Sequence, residues 1–156
     1  MPDDDADRAY VAGLTLLARR ELAEAQLRER LGRTFDRDEV DAAVIRLRRE
    51  QALDDRRTAL ACARTLVRVK HRWGARVVRQ IELLGISRNV AREAASEVFA
   101  EFDESTLLEQ AIDRRLRRGM SLTDSQTFRR VRSYLMGQGF TPGAITAALT
   151  RRRKVT

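Results

Sequence analysis

The chain has 156 residues, of which 43% are hydrophobic, only 5% aromatic and 35% charged, with a formal charge of +8. That length holds one domain or a short array of modules, and so few aromatics point to thin helical cores of Leu, Val and Ala. A single cysteine, Cys62, excludes an internal disulfide or a cysteine-based zinc site, and no apolar run approaches the ~20 residues that span a bilayer.

Nine helices are expected, three in each of three copies covering 5–50, 51–102 and 103–153. In the first copy, Tyr10, Leu14 and Leu17 set an apolar face for a helix from about Asp5 to Arg20. Its leading aspartates, Asp3, Asp4 and Asp5, favour the positive helix end, and Arg19 and Arg20 the negative one. These aspartates also carry the opposite charge from a signal peptide, so a cytoplasmic protein is expected. A second helix spans about Ala23 to Leu31, and a third runs from Asp36 or Arg37 to Glu50.

The second copy starts at Leu53-Asp54-Asp55, where Asp54 suits an N-cap, its carboxylate accepting free amide hydrogens of the first turn. Its first helix runs to about His71 and stops before Gly74; the next two span about Ala75–Leu84 and Arg88–Phe102. The third copy opens near Asp103 and reaches Arg118 before Gly119. Ser121 to Asp124 form a polar link to a last pair, about Ser125–Gln138 and Pro142–Arg152. Gly85 and Gly139 suit the left-handed turn that ends a helix, while Thr34 takes their place in the first copy. The two prolines, Pro2 and Pro142, fall at helix edges.

The copies align on Phe35, Ile86 and Phe140, which are 51 and 54 positions apart. At offsets 5, 8, 9 and 12 stand Val40, Ala43, Val44 and Leu47; Ala91, Ala94, Ala95 and Val98; and Ile145, Ala148, Leu149 and Arg152. Eleven of these twelve positions are apolar, at the spacing of one helix face. Val77 and Ile81 precede Ile86 by 9 and 5 residues, as Val131 and Leu135 precede Phe140; Leu27 and Leu31 sit one residue nearer to Phe35. Self-similarity at such a period marks a repeat protein, and a three-helix unit this small needs its neighbours for stability. An elongated, curved, all-α array is therefore expected, with the three anchor residues buried in equivalent places.

Charge is unevenly placed. Residues 1–50 carry 10 Lys+Arg against 12 Asp+Glu, residues 51–100 carry 10 against 5, and residues 101–156 carry 11 against 6. A basic two-thirds joined to a slightly acidic third suggests a polyanionic partner, either nucleic acid or an acidic protein groove. Arginine supplies 29 of the 31 cations, and its planar fork suits phosphate and carboxylate; codon bias in a GC-rich genome gives the same enrichment. Four clusters stand out: Arg68, Lys70, Arg72, Arg76 and Arg79; Arg114, Arg115, Arg117 and Arg118; Arg129, Arg130 and Arg132; and Arg151, Arg152, Arg153 and Lys154. Together they are read as a partner- or DNA-binding surface. Trp73, inside the first cluster, reads as a packing anchor between helices in preference to a platform for nucleobases.

Little supports catalysis. His71, the sole histidine, lies between Lys70 and Arg72 as an exposed helix-end residue, and the scattered glycines form no phosphate loop. Asp54 and Asp55 fit helix capping better than metal binding, and Asp3 to Asp5 fit solvation. Cys62 shares an apolar stripe with Ala59, Ala63 and Leu66 and reads as a small core residue. No enzyme activity, cofactor or metal is expected. Nor does any apolar stripe reach coiled-coil length, so a monomer is expected.

Four segments resemble proteins of the RecX family. They are Leu16-Leu17-Ala18-Arg19-Arg20-Glu21 with Leu27 and Leu31, Ala52-Leu53-Asp54-Asp55-Arg56, Trp73-Gly74-Ala75-Arg76-Val77 leading to Leu84-Gly85-Ile86, and Tyr134-Leu135-Met136-Gly137-Gln138-Gly139-Phe140 with Ile145. The resemblance covers residues 8 to 152. It implies three tandem three-helix repeats lying in the groove of the RecA–single-stranded-DNA filament, suppressing its ATP hydrolysis and strand exchange, with weak DNA binding in some members. The family usually has serine and glutamate where this chain has Ala23-Glu24-Ala25-Gln26, a departure expected to cost a helix cap. The alternative is a direct DNA-binding protein with helix-turn-helix-like modules.

Overall fold

The computed structural model describes residues 2–155, with side chains described from residue 5 onward, so the aspartate calls at Asp3 and Asp4 lie outside the described side chains. Nine helices and no strands are found among the described residues: α1 (Pro2–Arg19), α2 (Glu24–Leu31), α3 (Arg37–Arg49), α4 (Asp55–Arg68), α5 (Gly74–Glu82), α6 (Arg88–Phe99), α7 (Glu104–Arg115), α8 (Ser125–Gln138) and α9 (Pro142–Val155). No helix among the described residues is long and apolar enough to cross a membrane. The principal packing partners group by threes: α1 with α2 and α3, α4 with α5 and α6, α7 with α8 and α9.

Local chemistry sets the helix starts. Asp36, Asp54, Ser87, Asp103 and Asp124 each accept a backbone amide two or three residues into the following helix from an oxygen of the side chain, satisfying donors that have no intrahelical partner. α2 starts without such a cap, as the Ala23-Glu24 departure predicts. Its amides are served from elsewhere: Gln26 Oε1 accepts Ala23 N–H at 3.1 Å, and Asp55, on α4, accepts Glu24 N–H at 2.8 Å. A neighbouring triplet thus supplies the missing cap.

Two apolar cores result. Leu22, Leu27, Leu31, Val40, Val44, Leu47 and Leu53 fill the first triplet. The second and third triplets share one continuous core that includes Val77, Ile81, Val98, Leu108, Ile112, Leu135 and Leu149. Of the three aligned anchors, Ile86 and Phe140 are each 3% exposed. Phe35 is only half-buried against the first core, a departure from the expected equivalence. Its loop is one residue shorter, and its triplet has no further core to close over the ring.

Several boundaries also differ from expectation. α4 ends at Arg68, not His71, because Val69 to Arg72 turn back onto the helix end: Lys70 N–H bonds Thr65 O and Arg72 N–H bonds Leu66 O, with His71 at φ +50°. α7 ends at Arg115, not Arg118, since Leu116 adopts extended backbone and packs inward. The link expected to be polar between Ser121 and Asp124 sends Leu122 into the core, where it is 3% exposed.

The second helices of successive triplets run end to end. α8 finishes at Gly139, whose φ of +100° closes the helix against the start of α5. Trp73 N–H there donates to Gln138 O at 2.9 Å, so a carbonyl at the end of α8 serves an amide at the start of α5. α5 in turn reaches Gly85, where an added Cβ would lie 2.4 Å from Ala25 Cβ in the first turn of α2.

Candidate docking surface: a basic seam between the second and third triplets

The connection between α4 and α5 carries Val69, Lys70, His71, Arg72 and Trp73, and it is pinned to the third triplet at several points. Arg114 Nη1, from α7, donates to Val69 O at 2.8 Å. Gln138 Nε2, at the end of α8, donates to Lys70 O at 2.9 Å and to the Tyr134 hydroxyl at 3.3 Å. The Arg115 guanidinium lies 5.2 Å from the Tyr134 ring centre, close enough for cation–π attraction. The first two basic clusters, some forty residues apart in sequence, therefore meet along one seam. Trp73 sits half-buried beneath it with its ring centre 4.3 Å from that of Phe99, a packing role.

The sixteen basic residues expected to bind are not equivalent in this setting. Arg68, Lys70, Arg76, Arg79, Arg117, Arg118, Arg130 and Arg132 are exposed, and among the described residues their side chains make no hydrogen bond or close ion pair. Arg72 is tied to Gln80, Arg114 to Val69 O, and Arg129 to Ser125 O at 3.3 Å. At the end of α9, Arg151 pairs with Glu109 at 3.2 Å, and Arg152 with both Glu109 at 2.5 Å and Asp113 at 2.6 Å. Arg152 falls at the aligned position held by Leu47 and Val98, and instead of filling a core it ties α9 to α7. Arg153 approaches the Phe128 ring at 6.0 Å, placing the basic end of α9 beside the start of α8, where Arg129 and Arg130 stand; Lys154 is exposed next to it.

Arg88 and Arg92 were not among the expected binding residues. With Arg79 they line an open groove of about 440 Å³ over Ala75 and Val78, where Arg88 is held by Glu82 at 2.8 Å. Their i, i+4 spacing on α6 was the available signal.

No protein-family model matches the chain. A regulatory protein RecX from Syntrophotalea carbinolica is 31% identical over 147 residues, which is 93% of this chain and 96% of that protein. The chain belongs to the RecX family. A RecX regulatory protein from Pelodictyon phaeoclathratiforme is 23% identical over 150 residues, covering 96% of this chain and 91% of its own length. The fold likewise matches a regulatory protein RecX crystal structure at TM-score 0.80, over 94% of this chain and 72% of that one. It matches RecX from Lactobacillus salivarius at TM-score 0.75, over 99% of both chains. Both structures are 18% identical to this chain, so the likeness speaks for the RecX fold and not for its contacts.

His71, the sole histidine, is the titratable group near neutral pH on this seam. It is half-buried, not exposed as expected, and its Nδ1 is enclosed without a hydrogen-bond partner. Loss of solvent and then the positive charge of Arg114 push its pKa below the usual histidine value, with Gln110 acting weakly the other way. A lowered pKa means that the unfolded chain takes up the proton first as pH falls. Stability is therefore full above the unfolded-state value of about 6.5 and declines below it, through the folded-state pKa. Thermal unfolding between pH 7.5 and 5 is expected to show this decline, and His71→Gln should flatten it over the same window. An unchanged pH profile in that variant would remove His71 as the cause.

Proposed function

We propose that this protein is a non-enzymatic cytoplasmic regulator that binds the RecA–single-stranded-DNA filament and restrains its ATP hydrolysis and strand exchange, acting in DNA repair and recombination. Membership of a family whose relatives are named regulatory proteins supports a regulatory role. The observation that carries the reading is the seam: basic clusters from α4–α5 and α7 are joined by Arg114, Gln138 and Tyr134 into one exposed cationic surface. The three helix triplets are taken as tandem repeats, and their end-to-end second helices suit an elongated monomer that meets several filament subunits at once. Each further weak contact then forms at high effective concentration, so binding is strong without a deep pocket.

The test is ATP hydrolysis by RecA on single-stranded DNA with this protein added from substoichiometric to equimolar amounts. Hydrolysis should fall, and the protein alone should turn over no nucleotide. Unchanged RecA turnover, or intrinsic ATPase or nuclease activity in a clean preparation, overturns the proposal. The same seam also suits bare DNA phosphates, which is the second reading. Affinity for DNA without RecA, falling with salt at a log–log slope near −0.7 per phosphate on single strands or −0.9 on duplex, would favour that one.

A further inference from the structure

The two joints between triplets are built from different chemistry. At the joint between the second and third, the apolar core is continuous and the chain is tied by Trp73 N–H to Gln138 O, by Gln138 Nε2 to Lys70 O and by Arg114 Nη1 to Val69 O, with no ion pair across it among the described residues. At the joint between the first and second, the cores are separate, and among the described residues up to Glu50 only Ala23 is buried in the larger core. Apart from Ala23 and the close approach of Gly85 to Ala25, what spans this joint is polar. Asp55 accepts Glu24 N–H, and Thr58 Oγ1, itself 4% exposed, donates to Glu21 Oε2 at 3.2 Å or Leu22 O at 3.4 Å.

Arg57 holds most of the rest. From α4 its guanidinium reaches back to three groups of the first triplet and its connection: Glu21 through Nε at 2.7 Å and Nη2 at 3.4 Å, Gln51 O through Nη1 at 2.8 Å, and Ala52 O through Nη2 at 3.1 Å. The connection it grips contains Gln51 at φ +58°, where α3 is already closed off by Ala52 N–H and Leu53 N–H on Leu47 O. Leu53 packs with the first core and Asp54 begins the second triplet, so the change of body falls at one peptide link.

We infer that Arg57 and Glu21 form a salt-sensitive clasp that sets the angle of the first triplet against a single rigid body made of the second and third. The Arg57–Glu21 pair is 43% and 41% exposed, so mobile ions reach it. Screening shortens the range of charge interactions from about 8 Å at physiological salt to 3 Å at 1 M, and exposed pairs weaken accordingly. The joint between the second and third triplets, held by a continuous core and by hydrogen bonds to backbone carbonyls, has no ion pair among the described residues for salt to screen. A regulator with one adjustable arm and one fixed arm would follow changes in the spacing of its binding sites; the clasp itself is independent of what it binds.

Spin labels test this in the full chain after Cys62→Ser. One label pair, at Arg37 and Glu93, spans the first joint; a second pair, at Glu93 and Thr150, spans the other; all three positions are exposed. Electron–electron distance distributions are read at low and at ~1 M salt, the range over which screening lengths fall several-fold. The Arg37–Glu93 distribution should broaden or shift with salt, and Glu93–Thr150 should not. Arg57→Gln should give the broadened distribution already at low salt. Should that variant misfold by circular dichroism, Glu21→Gln, which leaves the Arg57 bonds to Gln51 O and Ala52 O possible, reads the same clasp. A first-joint distribution that stays narrow in both the folded variant and high salt, or equal broadening at both joints, overturns the inference.

Discussion

Replacing Gly139 with alanine should cost the protein about 3 kcal/mol or more, whereas the same change two residues earlier, at Gly137, should be neutral or stabilising. A Cβ at Gly139 would lie 2.1 Å from Trp73 O and 2.8 Å from Arg76 Cβ, at a backbone φ of +100°. Left-handed backbone costs an ordinary residue roughly 1–2 kcal/mol, and an overpacked contact that must move backbone costs about 1–3 more. Trp73 cannot step aside, because it is fixed by its own N–H bond to Gln138 O and by its ring on Phe99. Gly137 lies inside α8 with nothing within 4 Å of an added Cβ, so alanine there gains about 0.5–1 kcal/mol of helix propensity. Denaturant titration of both variants checks the pair. An unperturbed Gly139→Ala midpoint would mean that the joint between α8 and α5 is not as close as described.

The second large effect concerns association with the proposed partner. Reversing Arg76 and Arg79 together, or Arg129, Arg130 and Arg132 together, should slow binding to the RecA–DNA filament by tenfold or more at low salt, because exposed charges of one sign raise encounter rates by about 10- to 1,000-fold. Folding should survive: most of these side chains make no ion pair, and surface substitutions of this kind shift stability by about 0.5 kcal/mol. The control must come from the less basic first triplet and must avoid its structural arginines. Arg28 is bound to Glu24 and Asp41, and Arg33 to Glu29, so reversing either would confound binding with folding. Arg37 and Arg49 are exposed and make no close pair, which makes Arg37→Glu with Arg49→Glu the matched variant. Association rates measured against salt decide the matter. If the control slows binding as much as the basic pairs do, the charge asymmetry does not direct the encounter.

Helix number and the family's fold were legible because both rest on local signals. A 3.6-residue apolar period names the face of α3, α6 and α9, and Asp54 before α4 names the start of a helix whether or not anything packs on it. Gly85 and Gly139 were legible as helix stops for the same reason, since a left-handed turn is a property of one residue. Leu122 was not legible: a single Leu between Ser121 and Thr123 in a polar stretch has no period to reveal it, and only the core it enters makes it apolar structure.

The basic clusters show the same division. Their existence and their sign were determined by the sequence alone, as was the imbalance between the first fifty residues and the rest. Which arginines are available was decided by the tertiary structure, because an ion pair needs a partner brought close in space, and Glu109 and Asp113 lie some forty residues from Arg152. The loss of a cap at Ala23 could be read from the chain; that Asp55 replaces it could not. Local preferences act within a turn of helix and are written residue by residue, while joints, seams and charge pairs depend on how far apart three packed triplets leave their surfaces.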